Sequence, residues 1–196
     1  MSKKYILIIN IIMYLIITMV IIQGIIRTFQ NNNINYLVKL IDSRKWHSRL
    51  RAAKALGILN NRDAVLPLIS NLNSEDNDLV RYQVIETLGI LGDTRAAKPL
   101  TNRLLYYFPN YSDLDTKTIN ANSSINKDIN NSEVLYLIYS LGKIKDTASI
   151  NILLNIIENK NLDSKIRSVT LSSIGHIGDT KGTIETINKW KQNVNK

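Results

Sequence analysis

"LGILGDTRAAKPL", residues 88–100, is the stretch on which the fold turns. Two glycines, an Asp-Thr pair and two basic residues could build a small phosphate-cradling loop, or they could mark the joint between two helices. A phosphate loop is expected once in a chain, whereas a structural joint recurs with the unit it joins. Variants of this stretch occur at 56–68, 141–153 and 174–186, which selects the joint. Aligning 48–72 with 80–104 puts Arg49 on Arg81, Leu56 on Leu88, Gly57 on Gly89, Leu59 on Leu91 and Pro67 on Pro99, all at an offset of thirty-two. Gly142 and Gly175 occupy the Gly89 place in two further registers. Between Gly89 and Gly142 the period is lengthened by an insertion of about twenty-one residues.

Within each unit the apolar residues recur at helical spacing. Val80, Val84, Ile85, Leu88 and Leu91 form one stripe, with equivalents in Ala52, Ala53, Leu56 and Leu59 and in Leu137, Ile138, Leu141 and Ile144. The fourth unit gives Ile166, Leu171, Ile174 and Ile177, with Thr170 as a polar exception. No segment alternates with period two, so the expected class is all-α. The units read as A–turn–B hairpins over 34–42 and 48–59, 64–72 and 79–91, 95–108 and 132–144, and 148–159 and 164–177. A basic helix over 182–193 closes the array. One hairpin cannot bury its apolar face alone, and stacking four produces a continuous core. The repeat domain is therefore placed at 34–193, with an insertion loop at 109–131.

These residues resemble HEAT repeats, in particular the short HEAT-like type first associated with phycobilisome lyases. That type reads V-R-x-x-A-x-x-A-L-G-x-[IL]-G-D, then A-x-x-P-L-x-x-x-L. Val80, Arg81, Leu88, Gly89, Leu91, Gly92, Asp93, Ala96, Pro99, Leu100 and Leu104 match it, while the first unit has Asn60-Asn61 for Gly-Asp. The third unit lacks the Arg, and the fourth keeps Arg167, Gly175, Gly178 and Asp179. The resemblance implies an α-solenoid of about four hairpins. Each repeated residue has a structural expectation. Gly57, Gly89, Gly142 and Gly175 follow a core Leu or Ile and permit close helix packing. Gly92 and Gly178 suit the left-handed position past a helix end. Asp93, Asp146 and Asp179 suit caps of the next helix. Pro67 and Pro99 lie near helix starts, where little N–H bonding is lost. Arg49, Arg81 and Arg167 are expected, on the resemblance, to reach acidic groups in neighbouring turns as an ion-pair ladder.

The chain of 196 residues opens with "YILIINIIMYLIITMVIIQGII", twenty-two residues from Tyr5 to Ile26 without a charge. A helix of that length crosses a hydrocarbon core of about 30 Å. Residues 1–27 are read as an uncleaved signal-anchor in contact with the bilayer through 5–26; secretion after signal cleavage is the alternative. Lys3 and Lys4 before the span, against Arg27 after it, lean the count towards an exported C-terminal domain. There is no cysteine, which removes disulfides and thiolate metal sites. The net charge of +9 is spread along the chain and reads as a solvated basic face.

Site chemistry is sparse. His47 and His176 occupy different places in distant repeats, so neither a metal pair nor a triad base is supported. No Walker loop, Gly-x-Ser-x-Gly or paired-carboxylate spacing occurs. No catalytic, metal or cofactor-binding residue is expected, and the chain is read as a non-enzyme. If B helices line the concave face, as the resemblance implies, their outward positions form a strip. It runs through Arg51, Lys54 and Ile58, then Gln83, Glu86 and Ile90, then Tyr136, Tyr139 and Lys143, then Val169, Ser172 and His176. Such a mixed strip suits gripping an extended protein segment. The expected function is a membrane-anchored scaffold that binds a protein partner. A basic solenoid on nucleic acid, as in HEAT-like DNA glycosylases, is the second reading, with Arg51, Lys54, Lys143 and the C-terminal lysines on phosphates. A lyase-type enzyme is the third. The loop 109–131 contains sequons at Asn110, Asn122 and Asn130, read as coincidence in an Asn-rich chain.

Overall fold

A computed structural model describes residues 3–111, 131–178, 184–185 and 187–188. Among these residues every regular element is helical. The α-helices are α1 (Lys3–Ile41), α2 (Trp46–Leu59), α3 (Val65–Ser74), α4 (Asp78–Leu91), α5 (Ala97–Tyr107), α6 (Asn131–Ile144), α7 (Ile150–Glu158) and α8 (Ser164–Ile177). The even-numbered helices pack in sequence, α2 on α4, α4 on α6 and α6 on α8. Each also packs on the helix before it, which gives the two layers of a solenoid. Leu56, Leu88 and Leu141, one residue before each repeat glycine, are completely buried between the layers.

The hairpin joints are built as their residues dictate, with one addition. Gly92 takes φ 58° and its N–H donates to the Leu88 carbonyl, ending α4. Asn60 takes the same left-handed conformation at φ 48° after α2, and Lys145 does so at φ 60° after α6. Asn tolerates this region better than other residues with a Cβ, so Asn60-Asn61 replaces Gly-Asp without changing the turn. The capping side chains do not start the next α-helix directly. Asn61, Asp93 and Asp146 each accept the N–H two residues on and open a short 3-10 turn, at Arg62–Ala64, Thr94–Ala96 and Thr147–Ser149. The α-helix begins one residue after that turn, so the helix read from 95 starts at Ala97.

At the other end of the chain, α1 is one helix of 39 residues. The intervening "RTFQNNN", 27–33, contains neither Pro nor Gly, so nothing in the sequence breaks the helix between the apolar run and the first repeat. Its last turns carry Ile34 and Ile41 into the core, with Leu37, Val38 and Leu40 packed beside them. Its large apolar residues between Ile8 and Ile26 are exposed. By length and composition this helix is able to cross a membrane. Pro109–Tyr111 forms a short turn that pins the start of the insertion: Tyr111 is buried, stacks on Phe108 at 5.3 Å, and its hydroxyl accepts from Asn159 Nδ2 at 2.6 Å. Residues 112–130, Asp179 and most of the expected closing helix lie outside the described residues.

Candidate protein-docking face

The face is set by how closely the even-numbered helices approach. A Cβ placed on Gly89 would fall 2.6 Å from Ser140 Oγ and 2.9 Å from Ser140 Cα. On Gly142 it would meet Ser173 Cβ at 2.8 Å, and on Gly57 it would meet Thr87 Oγ1 at 3.3 Å. The facing residue is always the small hydroxyl two places before the next repeat glycine. That hydroxyl is itself bonded across the joint: Thr87 donates to the Ala53 carbonyl at 3.0 Å and Ser140 to the Ile85 carbonyl at 2.9 Å. Glycine and hydroxyl together lock successive helices in register. Gly175 differs, because no described atom lies within 4 Å of its Cβ position. The signal for this joint in the sequence is the Ser/Thr–Leu/Ile–Gly tripeptide at 87–89, 140–142 and 173–175, whose first residue meets the glycine of the preceding repeat.

This register brings the strip together. Arg51 and Lys54 on α2, Tyr136, Tyr139 and Lys143 on α6, and His176 on α8 are exposed; Gln83 and Glu86 on α4 are half-buried. Gln83 Nε2 donates to Glu86 Oε2 at 3.0 Å, which holds the two polar groups to each other. Tyr136 stacks on Tyr82 with ring centroids 5.4 Å apart, and the Lys143 ammonium sits 5.2 Å from the Tyr139 ring centroid. A groove of about 470 Å³ opens beside them, lined by Glu86, Leu135, Tyr136, Tyr139, Lys165 and Val169 with Ser132 at its rim. Its walls are aromatic and aliphatic, with one acid and one base. Tyr82, Leu135 and Lys165 are additions to the strip, each four residues before a strip position (Glu86, Tyr139 and Val169) and therefore on the same helix face, one turn further towards the helix start. His176 Nδ1 lies 2.8 Å from the Ser172 carbonyl of its own helix, and His47 stacks on Trp46 at 3.7 Å.

On the opposite side of the joints, buried ion pairs hold the repeats. Arg49 donates from Nε to Glu75 Oε2 at 2.8 Å and from Nη2 to Oε1 at 2.6 Å, and also to the Ser43 carbonyl at 2.9 Å. Arg81 donates to Glu133 at 2.8 Å, to the Glu75 carbonyl at 2.9 Å, and pairs with Asp78. Glu133 is completely buried and also pairs with Arg103. Burial raises the Glu133 pKa, and the Arg103 and Arg81 hydrogen bonds overcome it, leaving the carboxyl below its ordinary value. Burial likewise raises Glu75, and hydrogen bonds from Arg49 and the Asn77 N–H bring it down. Asp93 is held at about 2 by hydrogen bonds from the Arg95 side chain and backbone, while burial and the nearby Glu133 push Tyr107 up to about 12. The Nε of Arg167 is buried without a hydrogen-bond partner among the described residues, and the turn that follows α8 lies outside them. These carboxylates are structural ions tied to arginines. No group of three or more His, Asp or Glu residues with metal-binding geometry exists among the described residues.

HEAT repeats match residues 34–106 of the chain. The chain is also 42% identical over 64 residues to "Bilin biosynthesis protein PecE" of Nostoc sp., covering 33% of this chain and 25% of that protein. The corresponding protein of Mastigocladus laminosus is 42% identical over 64 residues, covering 33% of this chain and 24% of the relative. The match thus spans about a quarter of the length of these curated relatives.

Proposed function

We propose that this protein is a membrane-anchored scaffold that grips a protein segment on the strip formed by α2, α4, α6 and α8, without catalysis. The groove between Tyr136, Tyr139 and Val169 carries this reading, because it places exposed aromatic rings over an apolar floor on a rigid helical layer. Tyrosines in such a setting supply large contact area at small entropic cost. HEAT repeats in general mediate protein–protein interaction, and α1 would hold the scaffold at the bilayer. The test is a photo-crosslinker at Ser172, beside the groove, in the intact protein in its native membrane. A defined adduct should form and should be lost in the Tyr136→Ala, Tyr139→Ala, Lys143→Ala triple variant, with helicity unchanged. An adduct that survives the triple variant would move the contact off this face.

A second reading rests on the similarity to PecE, whose name places it in bilin biosynthesis. On that reading the groove takes a linear tetrapyrrole, whose rings would stack on Tyr136 and Tyr139. Incubation of the purified chain with a free bilin separates the two. A red-shifted, protein-bound absorption band abolished by the same triple variant would favour the pigment.

A further inference from the structure

The groove beside Tyr136 and Tyr139 has two chemically different walls. Glu86 stands on α4 and Lys165 on α8, while α6 between them supplies Leu135, Tyr136 and Tyr139. Among the described lining residues Glu86 is the only acid and Lys165 the only base. Neither charge is answered by the fold. Glu86 is half-buried and its Oε2 accepts from Gln83 Nε2, yet it enters no ion pair among the described residues. The carboxylates drawn into the joints are treated differently: Glu75 is bonded to Arg49, Glu133 to Arg81 and Arg103, and Asp93 to Arg95. Lys165 is exposed and likewise enters no ion pair among the described residues. Its neighbour Asp163 is engaged as the cap of α8, accepting from the Lys165 N–H at 2.7 Å. Lys143, the one cation of α6, lies over the Tyr139 ring.

We infer that the partner segment is bipolar: it sets an arginine or lysine against Glu86, an apolar side chain between the tyrosines and Val169, and an aspartate or glutamate against Lys165. The inference rests on the groove being the docking face. An apolar or acidic partner laid over Glu86 would take a carboxylate out of water unpaired, which is far more costly than a mismatch at an exposed rim. A guanidinium there restores the lost bonds and finds tyrosine faces to stack on, as the Lys143 ammonium does on Tyr139 at 5.2 Å. Lys165 is more exposed and gains less from its acid, but it rejects a partner that brings a second cation to that wall. With α6 between them, the axes of α4 and α8 are about 16–20 Å apart at ordinary helix spacing. An extended chain covers that distance in about six residues, at roughly 3.3 Å each. The two charges therefore fix which end of a short segment lies on which helix.

Random nine-residue peptides displayed on phage supply the probe. They are selected on the full chain in phosphatidylcholine nanodiscs and counter-selected on the Tyr136→Ala, Tyr139→Ala, Lys143→Ala variant in the same discs. Recovered peptides should carry a basic and an acidic residue on either side of an apolar one, within about six positions of each other. A synthetic peptide of that pattern should bind at least about fivefold more weakly to Glu86→Gln, with helicity unchanged. Glu86→Lys should lose that peptide and bind the version in which its basic residue is replaced by glutamate. A purely structural role for Glu86 would not produce that rescue. Groove-dependent peptides lacking the charge pair, or an affinity indifferent to Glu86→Gln, would overturn the inference and leave the docking face in place. Recovery of no groove-dependent peptide would overturn both, and binding of a free bilin to the same discs would then assign the groove to pigment.

Discussion

At the scale of the residue, the four repeat glycines share a sequence position and differ in consequence. Gly89→Ala would drive a methyl group into the Cα of Ser140, where backbone cannot yield. Overpacking of this kind costs about 1–3 kcal/mol, more than the roughly 1 kcal/mol that alanine gains over glycine in a helix. Gly175→Ala meets nothing among the described residues and should be neutral or stabilising by up to about 1 kcal/mol. Urea unfolding of the two variants checks the opposite signs; equal destabilisation would refute the joint. Arg81→Met strips one of two arginines from the fully buried Glu133 and should cost about 3 kcal/mol by the same measurement. A variant as stable as the parent would remove the ion pair from the account. Gly89 and Arg81 were legible in the sequence because both recur at the period. Glu133 was not, since it sits just after the insertion, where no periodic neighbour announces it. Arg167 shows the limit of repetition: the residue recurs, and its buried Nε has no hydrogen-bond partner among the described residues.

At the scale of the element, helix ends follow from local sequence more closely than helix starts do. The glycine and asparagine stops follow from φ, a local property that sequence states directly. The 3-10 turns before α3, α5 and α7 come from capping geometry, in which the carboxylate or amide takes the N–H two residues on, and spacing does not distinguish that from an α-helical cap. Asn77 caps α4 with its Oδ1, which accepts from Leu79 and Val80 N–H, and Asp163 caps α8 from the equivalent place, accepting from Lys165 N–H. Asn77→Ala should lower the stability by about 1 kcal/mol, and Asn77→Asp should restore it, as followed by thermal melting. Full stability in the alanine variant would show that water replaces the amide there. The strip on α6 was legible from outward register alone, whereas the groove beside it depends on how α6 and α8 meet, which no single helix specifies.

At the scale of the whole molecule, the solenoid was readable because it is nearly one-dimensional: each repeat touches its neighbours, and a period in sequence becomes a period in space. Its acid response follows from the carboxylates that join those repeats. Asp93 falls from an ordinary 3.8 to about 2, and Glu75 and Glu133 lie below their ordinary 4.5. A carboxyl with a depressed folded value stabilises the fold above its unfolded pKa and stops doing so as pH falls through the folded value. The melting temperature should therefore be flat above about pH 5 and fall between about pH 4 and 2. Arg81→Met should flatten that fall; a profile unchanged by the variant would assign the acid response elsewhere. The unbroken course of α1 adds a constraint of a different kind. A continuous helix fixes an angle as well as a height, since each residue turns it by about 100° and lifts it about 1.5 Å. Two alanines inserted after Gln30 would swing the groove by about 200° about the α1 axis, whereas seven would return it to within about 20° and raise it about 10 Å. Partner crosslinking from the groove should fail with two and recover with seven, and equal crosslinking from both would mean the helix does not transmit its azimuth. With α1 as the proposed anchor, the segment between bilayer and solenoid is an indexing shaft, whose permitted lengths come in whole turns.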